Sequence, residues 1–215
     1  MSVALQGSLL DQVEEVGLRP LGGAVRRMPL SRGAWIDVRP GWVTGSDDLF
    51  ARLVLGGPAG VEWRGERRVM WEREVATPRL LRFYDERETL PDPVLTRARE
   101  DLSAHYATEL GEPFRTAGMC LYRDGRDSVA WHGDRFGRGA SHDTMVAIVS
   151  LGAPRALLLR PRGGGAGQTV RQVLGHGDLL VMGGSCQRTW EHAVPKTAKP
   201  VGPRISIQFR PRGVR

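Results

Sequence analysis

The sequence contains little cysteine, little lysine and no long apolar run. Its two cysteines, Cys120 and Cys186, stand far apart among 215 residues and cannot make the disulfide framework of a small secreted domain. A membrane-spanning helix needs ~20 consecutive apolar residues, and no such stretch is present. The N-terminal residues MSVALQGSLLDQVEEV lack a basic region followed by an apolar one. We therefore expect a cytoplasmic protein with neither a secretion signal nor a membrane span.

The charge balance is strongly basic, and arginine supplies almost all of it. Lysine occurs only at positions 196 and 199, although lysine and arginine together number 31 against 24 acidic residues, a formal net charge of +7. A basic surface raises the local concentration of polyanions, which makes nucleic acid a candidate partner. A genome whose composition favours arginine over lysine would give the same excess, so composition leaves both explanations open.

The chain is long enough for one large domain with a closed core, and we treat residues 1–215 as a single domain. Ser46-Asp47-Asp48 and Asp92-Pro93 are residues that begin helices, and apolar residues at helical spacing follow the second pair as far as Gly111. From about residue 117, short β-rich segments alternate with turns. This order predicts an α+β chain in which a β-sandwich or jelly-roll core, residues 117–215, follows an N-terminal extension with helices, residues 1–116.

Residues 58–78 are basic and show no clear period, so we expect an irregular segment there. Four arginines interleave with two tryptophans in this segment: Arg64, Arg67, Arg68, Arg73, Trp63 and Trp71. Each arginine alone is typical of a solvated surface, whereas the cluster indicates an electrostatic track for a phosphate backbone. The following residues, Leu80–Tyr84, predict a strand.

A candidate metal site begins with His132-Gly133-Asp134. Residues two apart on an extended chain point to the same side, so this imidazole and this carboxylate can face one ion. His192 is available as a third ligand. Two histidines and one carboxylate on one face of an octahedron leave three positions open, an arrangement that suits a non-haem Fe(II) oxygenase.

A second His-x-Asp pair, His176-Gly177-Asp178, competes with the first. Such pairs arise often by chance and then usually make local hydrogen bonds. The second pair is flanked by glycine and precedes an apolar strand, which fits a tight turn. We therefore favour a structural interpretation for His176.

The C-terminal segment Arg204–Arg210 alternates polar and apolar residues and predicts a half-buried strand. If both faces of this strand are covered, its arginines look into a cavity, and a buried guanidinium is costly unless an anion meets it. A dicarboxylate would provide that anion, since the arginine fork matches a carboxylate. An edge strand whose polar face meets water would give the same pattern.

These motifs occur in an order that resembles the AlkB family of Fe(II)/2-oxoglutarate dioxygenases. The similar stretch runs from about Ala117 to Arg210, and a weaker match from Pro78 to Tyr84 extends it towards the family's substrate lid. The matching segments are Leu121-Tyr122-Arg123-Asp124-Gly125, Asp127–Asp134, Val146–Gly152, His176–Met182, Trp190–Pro195 and Arg204–Arg210. The resemblance implies a double-stranded β-helix (jelly-roll) core with flanking helices and a substrate lid in the N-terminal part.

The resemblance also implies site residues. Its metal pair is the one that precedes the Val-Ser-Leu-Gly strand, so the Fe(II) ligands would be His132, Asp134 and His192. For the co-substrate 2-oxoglutarate, it implies the residues Arg204, Tyr122, Arg210 and Ser206. Of these, Arg204 would bind the distal carboxylate with Tyr122 as its hydrogen-bonding partner, and Arg210 would lie near the carboxylate that chelates the metal.

The chain departs from the family pattern around the same site. Cys120 stands where the family often has asparagine, and cysteine is a much weaker hydrogen-bond donor. Ser206 and Gln208 replace the Asn and Thr that the family commonly has on the strand that corresponds to Arg204–Arg210, which we call the arginine strand. Arg135-Phe136 follow the metal aspartate, where well-studied members often have an acidic residue beside the base.

The activity implied is the oxidative dealkylation of N-alkylated bases in DNA, a repair reaction that consumes O₂ and 2-oxoglutarate and releases an aldehyde, succinate and CO₂. A base in a duplex must be flipped out to reach such a centre. Candidates for base stacking, base contact or phosphate contact are Trp71, Tyr84, Trp131, Arg135, Arg160 and Arg162. The aromatic members of this set are equally typical of a core. We expect a monomer.

Three alternatives remain. The first is an RNA demethylase, and the second is a 2-oxoglutarate-dependent hydroxylase of a small molecule or a protein. The basic, aromatic segment 58–87 favours nucleic acid over the latter substrates. The third is a non-catalytic nucleic-acid-binding module, which the intact metal and arginine positions argue against.

Overall fold

Antiparallel strands dominate the computed structural model, which describes residues 14–55, 60–70, 73–133, 137–164 and 166–214, with side chains omitted at 68–70, 73–75 and 166. Within these residues the larger sheet has eight strands, in the spatial order β2 (Arg26–Pro29), β3 (Ala34–Arg39), β12 (Asp178–Gly184), β9 (Val146–Gly152), β14 (Arg204–Arg210), β7 (Thr116–Tyr122), β6 (Arg73–Tyr84) and β5 (Arg64–Met70). The smaller sheet has the order β11 (Val170–Leu174), β10 (Arg155–Pro161), β13 (Trp190–Val194) and β8 (Val129–His132). A short ribbon pairs β1 (Gly17–Leu18) with β4 (Val43–Thr44).

Helices cover one face of the larger sheet, and the smaller sheet covers the other. The helices on that face are α1 (Ser46–Leu55), α2 (Pro93–His105) and α3 (Ala107–Leu110), whereas α4 (Cys186–Thr189) lies on the side of the smaller sheet, where Cys186 is buried. Ile205, Ile207 and Phe209 of β14 belong to one hydrophobic core with Leu49 of α1 and Leu102 of α2. A separate core lies between the two sheets, where residues of β9, β10 and β12 meet: Ile148, Leu157, Leu159 and Leu180. The β14 strand is therefore covered on both faces, as the cavity interpretation of its sequence requires.

The helix predicted after Asp92 is present, with a break near its end. The Asp92 side chain accepts a hydrogen bond from the Val94 amide (3.0 Å), and Pro93 occupies the first turn, where a missing N–H costs nothing. Tyr106 interrupts the helix between α2 and α3. Gly111 ends α3 with a φ of 72°, a left-handed conformation that favours glycine.

The expectation of an irregular segment over residues 58–78 is wrong for the residues described. Strand β5 and the first half of β6 lie there, and the two strands extend the larger sheet beyond β7. The β5 strand is the sheet edge, and Arg64 and Arg67 are exposed on it. Charged side chains suit an edge strand because they oppose further pairing. The polar composition of β5 gave no sequence signal for a strand, because this strand forms through its pairing with β6.

The N-terminal part of the chain contributes to the same sheet as the C-terminal part. Strands β2, β3, β5 and β6 precede residue 116, and they flank the central strands on both sides.

No helix in the described part of the chain is long and apolar enough to cross a membrane.

A buried carboxylate joins the edge of the larger sheet to the helices. Asp37 is 2% exposed and accepts hydrogen bonds from the Tyr106 hydroxyl (2.9 Å) and from Nε and Nη2 of Arg27 (both 2.8 Å). Arg27 lies directly opposite Asp37 on β2, and its guanidinium is 3.7 Å from the centroid of the Trp35 ring. Burial raises the pKa of Tyr106, and the adjacent Asp37 charge raises it further.

We expect Asp37→Asn to lower the free energy of unfolding by about 2–3 kcal/mol, because it weakens charge-assisted bonds to Tyr106 and Arg27 and buries an amide N–H group with no acceptor. Urea unfolding measures this change. Glu62→Gln is the matched control, since Glu62 pairs with Arg64 where both side chains are mostly exposed, and its effect should stay within about 0.5 kcal/mol. Equal effects of the two substitutions would contradict the importance of the buried carboxylate.

Candidate metal and co-substrate site

Two histidines from neighbouring strands of the smaller sheet lie side by side. His132 of β8 and His192 of β13 are register partners, and their ring centroids are 4.2 Å apart. Nδ1 of His132 lies 2.9 Å from the Ala130 carbonyl oxygen. That oxygen can only accept, so Nδ1 carries the proton and the lone pair of the neutral ring is on Nε2. A backbone carbonyl that fixes the tautomer in this way is the usual partner of a metal-binding histidine.

The alternation of side chains along β13 turns His192 towards the interior. His192 is opposite Leu159 of β10, which belongs to the core between the sheets, and His192 itself is only 7% exposed. The third predicted ligand, Asp134, lies outside the described residues. Across the part of the chain that is described, no three His, Cys, Asp or Glu side chains cluster in a metal-binding geometry.

The competing His-x-Asp pair lies in a tight turn and contacts residues of neighbouring segments. Nδ1 of His176 accepts from the Gly152 amide (2.6 Å), and its Nε2 lies 3.2 Å from an oxygen of Asp47. Gly177, which lies between His176 and Asp178 in the chain, has a φ of 81°. The Asp178 carboxylate accepts from two backbone amides, those of Gly175 (2.7 Å) and Gly41 (2.8 Å). These contacts support a structural role for both residues.

Arg204 is a buried cation at the start of β14, where it is 2% exposed. Its Nε donates to the Ser150 hydroxyl (2.9 Å), while Nη1 is buried without a hydrogen-bond partner among the residues described. Burial lowers the pKa of Arg204, and nearby Tyr122 opposes this shift. Burying a guanidinium nitrogen without an acceptor is costly, and a carboxylate ligand would supply both the acceptor and the opposite charge.

Tyr122 lies beside this guanidinium on the neighbouring strand. It is the register partner of Arg204, and the centroid of its ring is 5.3 Å from the Arg204 Cζ atom. Tyr122 is 3% exposed, and burial raises its pKa to about 12. The phenol therefore keeps its proton at neutral pH and serves as a neutral donor beside the cation. Ser150 also faces Arg204, and its only sequence signal was that it is a polar residue in an apolar strand.

Three of the residues that depart from the family pattern, Cys120, Ser206 and Gln208, contact one another, while Arg135 and Phe136 lie outside the described residues. Nε2 of Gln208 donates to the hydroxyl of Ser206 (2.6 Å) and to its carbonyl oxygen (2.9 Å). The Cys120 sulfur is 3.8 Å from Oε1 of Gln208, the distance of a weak S–H hydrogen bond. Ser206 thus has a side-chain partner on its own strand.

Gly118 of β7 leaves space for the side chains at the C-terminal end of the arginine strand, β14. The sequence did not suggest this role. A Cβ atom at Gly118 would lie 3.0 Å from Nη1 of Arg210 and 3.1 Å from Oε1 of Gln208. Both contacts are tighter than a side chain normally makes. The absence of a side chain on β7 at this point lets Arg210 and Gln208 pack over the strand.

Comparison with known proteins identifies the family. Residues 58–210 match the model of the 2OG-Fe(II) oxygenase superfamily. The alpha-ketoglutarate-dependent dioxygenase alkB homolog 3 of Homo sapiens is 30% identical over 225 residues, which cover 94% of this chain and 73% of the relative. This chain belongs to the AlkB family of 2OG-Fe(II) oxygenases. It is therefore a dioxygenase that uses Fe(II) and 2-oxoglutarate.

Other AlkB relatives agree with this assignment. The DNA oxidative demethylase ALKBH2 of Arabidopsis thaliana is 32% identical over 133 residues, which cover 52% of this chain and 42% of the relative. The solved structure of OsALKBH1 superposes with a TM-score of 0.56 at 15% identity, covering 87% of this chain and 100% of that one. The likeness confirms the predicted jelly-roll fold, while the substrate lid stays a prediction.

The residues predicted to contact an AlkB substrate lie in several different places. Trp71 and Arg135 are outside the described residues. Tyr84 is 5% exposed and belongs to the core beneath the helices, which gives it a packing role. Trp131 precedes His132 on β8, so the alternation of an extended strand turns it to the opposite, outer face of the smaller sheet. There the Arg160 guanidinium lies 4.1 Å from the centroid of the Trp131 ring.

An acidic side chain holds the arginines on this outer face. Glu191 accepts from Nη2 of Arg160 (3.1 Å) and from Nη1 of Arg162 (3.4 Å). All three side chains are partly exposed. This arrangement leaves a net positive charge next to the strand pair that carries the histidines.

We expect His132→Ala, His192→Ala or Asp134→Ala to abolish turnover and to weaken Fe(II) binding, because each would remove one of three protein ligands. Iron content after anaerobic loading measures the effect. His176→Ala is the control and should retain iron, because its ring contacts Gly152 and Asp47 instead. Loss of iron from the His176 variant together with its retention in the His132 variant would assign the metal to the other pair.

We expect Arg204→Ala to weaken 2-oxoglutarate binding about tenfold to a hundredfold, since a desolvated charge-assisted bond is typically worth ~1.5–3 kcal/mol. Titration calorimetry of the anaerobic Fe(II) protein gives the dissociation constant. Arg212→Ala is the matched control, because Arg212 is exposed and pairs with Glu86. Unchanged affinity in the Arg204 variant would remove the basis for this co-substrate assignment.

Proposed function

We propose that this protein removes alkyl groups oxidatively from N-alkylated bases in DNA, releasing an aldehyde, succinate and CO₂. One observation carries the catalytic part of the proposal. A histidine pair, in which a carbonyl contact fixes the tautomer of His132, and a guanidinium nitrogen of Arg204 that is buried without a hydrogen-bond partner among the described residues both face the space between the two sheets. Such a space excludes water from a reactive centre.

The residues fit the two groups that the family uses. His132, His192 and Asp134 would hold the iron, with Nε2 as the binding atom of His132. Bound Fe(II) and 2-oxoglutarate would supply, together with O₂, the oxidation of the alkyl carbon on the base nitrogen. The protein's part is to hold these groups and the base in one dry, fixed arrangement.

The arginine strand would orient the co-substrate. Nη1 of Arg204 and the Tyr122 hydroxyl would donate to the distal carboxylate of 2-oxoglutarate, where burial strengthens both bonds. Arg210 would attract the carboxylate at the other end, which directs the keto acid towards the histidines. Ser206 lies between the two arginines and adds a hydroxyl to the same face.

The substrate assignment rests on the relatives and on the distribution of charge. One relative bears the name DNA oxidative demethylase, and strand β5 presents exposed Arg64 and Arg67 at the sheet edge. Arg64 pairs with Glu62, but both side chains are mostly exposed, so the pair is weak and a phosphate can replace the glutamate. We further propose a single domain with its substrate lid in residues 1–116, acting as a cytoplasmic monomer.

We expect the purified Fe(II) protein to form succinate and to lower the mass of an N-methylated oligonucleotide by one CH2 unit, because hydrogen replaces the methyl group. The panel should include single-stranded DNA, duplex DNA and RNA carrying the same lesion, with unmodified strands as controls. The greatest turnover on DNA would support the proposal, and greater turnover on RNA would make the protein an RNA demethylase. Turnover of 2-oxoglutarate without any loss of base mass would favour a small-molecule or protein hydroxylase.

The β5 edge provides a separate test of the substrate site. Arg64→Glu combined with Arg67→Glu should weaken binding of every sequence about equally and flatten its salt dependence, because phosphate contacts release counterions. Arg26→Glu with Arg171→Glu makes the same charge change at exposed positions elsewhere and controls for net charge. Substrate-independent turnover of 2-oxoglutarate should persist in both. Equal loss of affinity in the two double variants would leave only non-specific attraction.

A further inference from the structure

A second buried arginine lies next to the proposed co-substrate anchor. Arg155, at the start of β10, is 5% exposed. Its Cζ atom is 5.7 Å from the centroid of the Tyr122 ring, and the Arg204 Cζ atom is 5.3 Å from the same centroid. Two guanidinium groups thus lie within the range at which a cation interacts with an aromatic ring. Neither the sequence motifs nor the roles assigned above account for Arg155.

The fork of Arg155 joins two loops that are distant in sequence. Nη1 donates to the carbonyl oxygen of Asp124 (3.0 Å), and Nη2 donates to those of Asp127 (3.0 Å) and Pro195 (2.7 Å). The first two belong to the turn that follows Tyr122, and Pro195 follows the strand that carries His192. Arginine suits this position because its planar group offers several donors in fixed directions, which lysine does not.

The carboxylates of this turn are already paired with other arginines. Asp127 accepts from Nε and Nη2 of Arg123 (both 2.8 Å), and Asp124 accepts from Nη2 of Arg126 (2.6 Å). Among the described residues, the acceptors of Arg155 are therefore main-chain carbonyl oxygens, which leave its formal charge in place. Burial lowers the pKa of Arg155, while Tyr122 and the two aspartates oppose the shift.

The charge of Arg155 acts on the Arg204 pocket. It contributes to lowering the pKa of Arg204 by repulsion, and it also lowers the pKa of Tyr122. Two buried cations that repel each other form a site that an anion stabilises twice, once by contact with Arg204 and once by attraction to Arg155 at longer range.

We propose that Arg155 is a positioning residue for the distal carboxylate of 2-oxoglutarate. Arg155 fixes Tyr122 against Arg204 and adds a second buried positive charge beside the Tyr122 ring. The proposal rests on the function proposed above, in which Arg204 and Tyr122 bind that carboxylate. It assigns to Arg155 a part of the affinity for the co-substrate without any contact with the metal ligands.

The test compares two ligands that differ only in the distal carboxylate: 2-oxoglutarate and 2-oxopentanoate. Calorimetry of the anaerobic Fe(II) protein gives both dissociation constants. Arg155→Gln removes the charge but keeps amide donors for the carbonyls, and we expect it to weaken 2-oxoglutarate about tenfold while leaving 2-oxopentanoate within about twofold. Arg155→Lys keeps the charge and should recover most of the difference. In steady state the Gln variant should raise KM for 2-oxoglutarate and leave kcat nearly unchanged.

Arg123→Gln is the matched control, because Arg123 holds the same turn through Asp127 but is largely exposed. It should bind both ligands as the parent protein does. Equal weakening of both ligands by Arg155→Gln, or the same selective loss in Arg123→Gln, would overturn the proposal. If Arg155→Gln is too unstable to purify, Arg155→Met is used for the same ligand comparison and is judged by the same criterion. An Arg204→Ala protein that binds 2-oxoglutarate normally would instead refute the co-substrate site itself.

Discussion

The burial of Arg204 is the constraint on which the rest of the site depends. Helices cover the face of β14 that carries Ile205, Ile207 and Phe209. The smaller sheet covers the opposite face, which carries Arg204. A guanidinium in that position cannot reach water, so the protein must provide its partners: Ser150 on one side, Tyr122 on the other, and a ligand for Nη1. The sandwich therefore folds around a cation that the proposed carboxylate ligand would stabilise further.

The two faces of the smaller sheet separate the chemistry from the charged surface. His132 and His192 are opposite each other and turn inward, whereas Trp131, Arg160 and Glu191 alternate with them and turn outward. Strands β8 and β13 thus carry the proposed metal-binding histidines on one side and, with Arg160 of β10, a partly exposed charged cluster on the other. The period of two along a strand makes both possible within two consecutive residues.

The sequence predicted those elements whose structure is determined by the spacing of their own residues. The alternation in Arg204–Arg210, the helix after Asp92 and the turn at His176 all follow from spacing and turn chemistry. Strand β5 did not, because a polar edge strand is specified by its neighbour rather than by its own residues. Arg155 was missed for a similar reason: its three carbonyl partners come from loops that are separated by about 70 residues and meet only in the folded chain.

The proposed co-substrate site and the proposed nucleic-acid surface differ in how their electrostatic attraction responds to salt. Arg204, Tyr122 and Arg155 are buried, so their attraction for a carboxylate is poorly screened and depends little on salt. Arg64 and Arg67 are exposed, so their attraction for phosphates is strongly screened. Raising the ionic strength should therefore weaken nucleic-acid binding much more than 2-oxoglutarate binding in the same protein. This contrast follows from burial alone, and it distinguishes the two proposed binding sites without any substitution.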